Sequence, residues 1–315
     1  MMTEFGLIEA IREGCKQLPT HGFEGIGDDC AVLPIGGGEA LVLTADLVVE
    51  RVHFLREAAT PEEVAHKTLH VNLSDVASMG VSPVATLLSV ALPKECMAGD
   101  WAERFMKGYL EASQKAGVAL IGGDTTASER DITINVTALG RGPENCLKRR
   151  RDAQVGDIIC LCGELGASGA GLREILAGRY DTPLARAHKL PSAQIKEGVW
   201  LGKEPAVHAM MDLSDGLAGD LRHILKASQV GAKVELTKIP VAAGSDLETA
   251  LSGGEEYKLL LTVASEAFER VAAAYQATFH TPLYPIGRIT SEPEKLLWLR
   301  NNAPERGNWQ GFRHY

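Results

Sequence analysis

Residues 60–80 read TPEEVAHKTLHVNLSDVASMG. The stretch opens with a helix start: Thr60 stands where an N-cap belongs, Pro61 takes the first helical position, and Glu63 can close a capping box. Gly80 lies just beyond the end, where chains commonly leave a helix. Within this predicted helix the last turns are small and uncharged except for Asp75. An aspartate there is costly unless it is paired, hydrogen-bonded or bound to a cation.

Working outward, strand-like and helix-like runs alternate. ALVLTADLVV (40–49) reads as a strand, DWAERFMKGYLEASQKAG (100–117) as a helix, and DITINVTALG (131–140) as a strand with period-two alternation. A polar, turn-rich segment, GRGPENCLKRRRDAQVGD (140–157), follows. The pattern then restarts with a strand in DIICLCG (157–163), a helix in SGAGLREILAG (168–178), and strands at KVELTKI (233–239) and EYKLLLTV (256–263). The class is therefore α/β or α+β, in two domains of similar size, 1–145 and 146–315.

Asp75 is one of several acidic stations in apolar surroundings. The others are Asp28 and Asp29 in GIGDDC (25–30), Asp46 in LTADL, Asp124 in LIGGDTT, and Asp212 with Asp215 in MMDLSDGLAGD. Each is expected at a strand end or inside a helix. On an extended segment Asp28 and Asp29 would point to opposite faces. Any one station can be a turn or cap residue, as is expected of Asp131 and Asp157. Converging carboxylates without matching basic neighbours instead call for divalent counter-charge. An oxygen-only set with hydroxyls nearby (Thr44, Ser74, Thr125, Ser214) suits magnesium, which completes its shell with water and phosphate oxygens. The chemistry indicated is phosphoryl transfer. IGGDTT could form a glycine-rich phosphate turn, and LSDGLAGDLRHIL (213–225) opens a helix whose apolar face is Leu217, Leu221 and Leu225, with Ser214 at its positive end.

Composition narrows the alternatives. The 315-residue chain is 45% hydrophobic and 23% charged, with a formal net charge of −9. A net-acidic surface disfavours nucleic acid and anionic lipid, so a phosphate-bearing ligand needs local cations. Six cysteines lack zinc-site spacing and read as buried free thiols of a reducing cytoplasm. MMTEFGLIEAIREG (1–14) reads as an amphipathic helix rather than a signal peptide. VSPVATLLSVALP (81–93) carries two prolines and is too short to span a bilayer. GELGASGAGL (163–172) lacks the GK[ST] of a Walker A loop and the spacing of a dinucleotide fingerprint.

GIGDDC, LTADLVVERVHF, VNLSDVASMG, LIGGDTT, MDLSDGLAGDL and SGGEEYKL, in that order, closely resemble the thiamine-monophosphate kinases of the aminoimidazole ribonucleotide synthetase-like superfamily. The resemblance implies a two-domain PurM-like fold whose N-terminal domain joins its twin in a homodimeric β-barrel, with a C-terminal α/β domain alongside. It implies ATP-dependent phosphorylation of thiamine phosphate with several Mg2+ ions; because the acceptor is itself a phosphate oxygen, largely deprotonated at neutral pH, no general base is expected. Carried over by motif, Asp29, Thr44, Ala45 (through its carbonyl), Asp46, Asp75, Asp124, Asp212 and Asp215 resemble metal ligands. Tyr109, Gly123, Asp124, Arg150 and Ser214 resemble nucleotide contacts, and His53, Glu255 and Phe312 thiamine-phosphate contacts. Arg150 lies in a run of three arginines that otherwise reads as a solvated face, His53 as an ordinary surface or core histidine, and Phe312 as a packing anchor beside Trp309. The motif match gives the metal to Asp29 and leaves Asp28 a turn or hydrogen-bonding role. Two departures stand out: Glu256 replaces the usual Asp after the glutamate of SGGE, and AHKLPSAQ (187–194) replaces an RHxxPxPR linker. Other ATP-using members of the superfamily and a non-catalytic nucleotide-binding relative are the alternatives.

Overall fold

The computed structural model describes residues 4–312, so Met1–Thr3 and Arg313–Tyr315 of the motifs above lie outside the described residues. The first half comprises α1 (Glu4–Cys15), β1 (Ala31–Gly36), β2 (Glu39–Val49), α2 (Pro61–Ser78) and β3 (Ser82–Leu92). It continues with α3 (Lys94–Ala98), α4 (Trp101–Ala116), β4 (Ala119–Ala127) and β5 (Thr133–Pro143). Its five strands form one sheet in the order β1-β2-β5-β3-β4. All pairs are antiparallel except β3 with β4, whose connection runs through α3 and α4 as a parallel crossover requires.

The capping box forms as expected: the Thr60 hydroxyl accepts the Glu63 N–H at 3.2 Å, and the Glu63 carboxylate accepts the Thr60 N–H at 2.8 Å. Thirteen of the 18 residues of α2 are buried, so this is an interior helix rather than a surface amphipath. It touches β2, β3, β5 and α4 of the first half and α6, α7 and β7 of the second. The sheet face away from it carries exposed Leu47, Val84 and Leu87, and Ile121 is exposed on β4. The sheet is open, with β1 and β4 as its edges, so a single chain closes no barrel.

The second half contains β6 (Ile158–Leu161), α5 (Ala167–Leu176), α6 (Pro183–Lys189), α7 (Ile195–Gly202), β7 (Val207–Asp212) and α8 (Leu217–Ser228). It ends with β8 (Gly231–Glu235), α9 (Leu247–Ser252), β9 (Leu259–Val263), α10 (Phe268–Phe279), β10 (Tyr284–Thr290), β11 (Leu296–Arg300) and β12 (Ala303–Pro304). The sheet order is β12-β11-β8-β10-β6-β9-β7. Strand alternation supplies two cores: Ile159 and Leu161 pack with Leu217, Leu221 and Leu225 of α8, whereas Cys160 and Cys162 pack with Val271 and Tyr275 of α10. Cys30, Cys96, Cys160 and Cys162 are buried free thiols, while Cys15 is exposed and Cys146 partly so. No helix among the described residues is long and apolar enough to cross a membrane.

The halves meet where α7 lies against α2. A Cβ added at Gly198 would stand 2.2 Å from the Ala77 carbonyl oxygen. Helix propensity alone would favour alanine there by about 1 kcal/mol, but a backbone carbonyl cannot yield cheaply. Gly198→Ala is therefore expected to destabilise by about 1–3 kcal/mol net. The check is a lower urea midpoint at unchanged slope.

Candidate functional site

Helix α2 supplies the floor of the site. Asn72, Asp75 and Ser78, three residues apart, are one helical face. Asn72 accepts the Asp46 N–H at 3.0 Å, fixing the middle of β2. Asp75 accepts the Thr44 hydroxyl at 2.6 Å. Ser78 donates to Asp29, whose other oxygen takes the Arg150 guanidinium. Asp212 ends β7 and is buried, and its Oδ2 has no hydrogen-bond partner.

The carboxylates register one another. Burial, then the charge of Asp29, pushes Asp46 up to about 6. Burial and Asp29 likewise push Asp212 up to about 8, with Asp46 adding to the effect. Asp75 is held well above the ordinary range by burial and by Asp46, Asp212 and Asp29. Four acidic groups therefore converge with Arg150 as the cation among them. An orphaned carboxylate oxygen inside a hard-oxygen cluster is the environment a divalent cation neutralises.

Next to this cluster lies a cavity of about 660 Å³, reached by Asp46, Asp75, Ser214 and Asp215 from one side. Its walls carry Lys67 and Lys189, local cations of the kind a phosphate-bearing ligand requires, together with His53, His188, Glu255 and Phe312. The Phe312 N–H donates to the Asp215 carbonyl at 2.8 Å, which seats the C-terminal segment over the β7–α8 loop. That loop is tied by Asp220, whose carboxylate accepts the N–H groups of Asp215 and Gly216 at 3.1 and 3.0 Å.

Several expectations need correction. Asp28 and Asp29 lie in bends before β1, not on an extended segment. Both face residue 150, Asp28 accepting its backbone N–H at 3.1 Å and Asp29 its side chain, so the opposite-face reading fails. Arg150 is not part of a solvated face: its side chain is 20% exposed, against 57% for Arg151. Asp46 and Asp124 sit mid-strand rather than at strand ends, and IGGDTT is part of edge strand β4 rather than a phosphate turn. Gly123 and Asp124 are exposed there and do not line the cavity. Glycine at 123 is required by close strand approach, since a Cβ would fall 1.7 Å from the Leu88 carbonyl oxygen. Ala45 alternates to the opposite side of β2 from Thr44 and Asp46. Tyr109 is fully buried with its hydroxyl 3.0 Å from Thr86, a core position that offers a nucleotide no surface. Ser214 precedes α8, whose N-cap is Gly216.

The sequence departures acquire structural roles. Glu256 accepts the Gly166 and Ser168 N–H groups at 2.8 and 3.0 Å, at the entry to α5. In the linker, Gln194 donates to the Cys162 carbonyl at 2.7 Å and accepts the Leu259 N–H at 2.8 Å. Lys67, His188 and Asp220 escaped the sequence reading. Lys67 had a signal: with Val71 and Asp75 it repeats every four residues, and all three line the cavity. His188 and Asp220 had none beyond their residue types.

Residues 27–142 match the family of AIR synthase related proteins, N-terminal domain, and residues 154–298 the corresponding C-terminal domain. The thiamine-monophosphate kinase of Haemophilus influenzae is 37% identical over 306 residues, covering 92% of this chain and 91% of its own. That of Escherichia coli strain K12 is 35% identical with the same coverage. The chain belongs to the thiamine-monophosphate kinase family. Among solved structures, that of AaThiL complexed with AMPPCP and TMP superposes with a TM-score of 0.85 at 30% identity, covering 100% of this chain and 97% of the other. The thiamine-monophosphate kinase of Stenotrophomonas maltophilia superposes at 0.76 with 34% identity, covering 96% and 98%. Family membership thus spans both sheets and the cavity between the clustered carboxylates and Phe312.

Proposed function

We propose that this chain is a thiamine-phosphate kinase, transferring the ATP γ-phosphoryl group to thiamine phosphate to give thiamine diphosphate and ADP, the last step in making that cofactor. The observation that carries the reading is the full-length likeness to AaThiL complexed with AMPPCP and TMP, because the carboxylate cluster and its neighbouring cavity offer the two chemistries those ligands need. His53, Glu255 and Phe312 line that cavity and would receive thiamine phosphate. Arg150 and Ser214 would contact the nucleotide.

Asp29, Thr44, Asp46, Asp75, Asp212 and Asp215 fit a set of magnesium ions, as the unpaired Asp212 oxygen and the mutually raised carboxylates support. When bound, magnesium supplies counter-charge to the nucleotide phosphates. Two unit charges about 4 Å apart repel by roughly 1 kcal/mol in water and 4 at an effective dielectric of 20, so in-line approach of two phosphates needs such neutralisation. The chain's own part is to orient. Ser78 and Arg150 hold Asp29, Asn72 holds the backbone of Asp46, and Thr44 holds Asp75. A phosphate monoester has a second pKa of about 6 and is largely deprotonated at neutral pH, so no general base is invoked.

Two copies would pair through the open five-stranded sheet, whose exposed apolar side chains and edge strand β4 support a dimeric barrel. Gly123 and Asp124, as well as the carbonyl of Ala45, would join the nucleotide and metal set in that assembly; Tyr109 would act through packing. Residues 1–145 and 146–315 would be the two domains of a cytoplasmic enzyme.

Incubation with ATP, magnesium and thiamine phosphate is expected to yield thiamine diphosphate by chromatographic product analysis. No product, with ATP turnover stimulated instead by an aminoimidazole ribonucleotide precursor, would overturn the reading in favour of a superfamily relative.

A further inference from the structure

One buried ammonium joins the two halves at the cavity. Lys67, on α2, has a side chain only 3% exposed. Its Nζ donates to the His53 carbonyl at 2.9 Å and to Glu255 Oε2 at 2.9 Å, and lies 3.4 Å from His188 Nε2. An ammonium has three protons, and two of them serve the His53 carbonyl and Glu255. His188 Nδ1 lies 3.0 Å from the Ser168 hydroxyl and its Nε2 lies 3.3 Å from Glu255 Oε2, so the ring packs against both members of the pair.

Glu255 needs holding. Its backbone is in the left-handed region, φ 61°, which a non-glycine residue adopts only when its surroundings impose it. Its N–H is spent on the Ser214 carbonyl at 2.7 Å. Oε2 is engaged by Lys67, but Oε1 is buried with no partner, beside a cavity that Glu255 lines. A carboxylate with one oxygen tethered and the other buried without a partner at a cavity wall is a handle for a cationic or amine-bearing ring that enters the cavity.

We infer that Lys67 is a positioning residue for the thiamine-phosphate subsite: anchored on the His53 carbonyl and flanked by His188, it orients the Glu255 carboxylate so that Oε1 meets the substrate. This rests on the function proposed above. Lys67 touches neither the carboxylate cluster nor any residue assigned to the nucleotide, so its effect belongs to one substrate only.

The test is steady-state kinetics on Lys67→Met, Glu255→Gln and the double variant, with KM measured separately for thiamine phosphate and ATP. Lys67→Met is expected to raise KM for thiamine phosphate at least tenfold and to move KM for ATP less than twofold. In the Glu255→Gln background the same substitution should change KM for thiamine phosphate by less than twofold, because the group it orients is already altered. An equal KM effect in both backgrounds overturns the inference, as does a lowered Tm with unchanged KM, the signature of a purely structural lysine. If Lys67→Met leaves Glu255 buried and unpaired and fails to fold, the double variant, which removes both charges, against Glu255→Gln decides: matching KM values support the inference and a further tenfold rise sinks it. Absence of thiamine diphosphate from the wild-type reaction would instead fault the function itself.

Discussion

Asp75→Asn is expected to lower turnover on the order of a thousandfold while making the metal-free protein more stable at pH 8. The kinetic loss follows from removing one charge of a preorganised electrostatic site, where single groups are worth about 10²–10³ in rate. The gain in stability has the opposite origin. The folded-state pKa values of Asp46 and Asp212 are raised to about 6 and about 8, and that of Asp75 is raised as well. A carboxylate with a raised folded pKa costs stability progressively as pH climbs from its ordinary value near 4 through the folded value. The metal-free protein should therefore be less stable at pH 8 than at pH 5 on this account, and asparagine at 75 removes one of the repelling charges without changing shape. Magnesium should reverse the order, raising the Tm of wild type more than that of the variant. Normal magnesium dependence of activity in Asp75→Asn, or an unchanged Tm response to magnesium, would rule out a metal-binding carboxylate at this position.

The sequence made α2 legible because its signals are local: Thr60, Pro61, Glu63 and Gly80 all act within a turn of the helix ends. The acidic stations were legible one by one for the same reason, since an aspartate among small apolar residues is conspicuous wherever it stands. Their grouping was not local. Asp29 meets Arg150 across 121 residues of chain, and Lys67 meets Glu255 across 188. The four-residue repeat of Lys67, Val71 and Asp75 marks a shared helix face but not the distant partner, so an arginine run looked solvated and a helix lysine looked ordinary. Tyr109 shows the converse: it stands in an amphipathic helix pattern, and its hydroxyl finds Thr86 inside the core rather than a ligand. The mid-strand places of Asp46 on β2 and Asp124 on β4 were misread as strand ends, because period-two alternation accommodates a polar residue on either face.

Acidification is expected to release the linker that crosses from α6 to α7, with wild type losing stability more steeply below pH 6.5 than histidine variants that preserve its hydrogen bonds. Three histidines grip this segment. His66 Nε2 lies 2.8 Å from the Pro191 carbonyl, His70 Nδ1 accepts the Ala193 N–H at 3.2 Å, and His188, at the end of α6, reaches Ser168 and Lys67. The His66 and His70 rings stack with centroids 4.0 Å apart. Burial lowers all three, with His70 brought down to about 3 and His188 to about 4; the charge of Lys67 adds to the shift at His188. A histidine with a depressed folded pKa contributes fully above its ordinary 6.5, and that contribution is lost as pH falls towards the folded value. A group with so wide a window costs about 1.4 kcal/mol per pH unit within it, so His70 and His188 together approach the lower end of the stability of a typical domain, about 5–15 kcal/mol. The raised carboxylates of the cluster work in the opposite direction over an overlapping range, so the decisive quantity is a difference between proteins rather than one melting curve. His70→Asn keeps an acceptor for Ala193 but cannot take up a proton. Tm measured from pH 7 to 4.5 should fall less steeply in this variant than in wild type, and parallel curves would show that His70 is not a titrating latch.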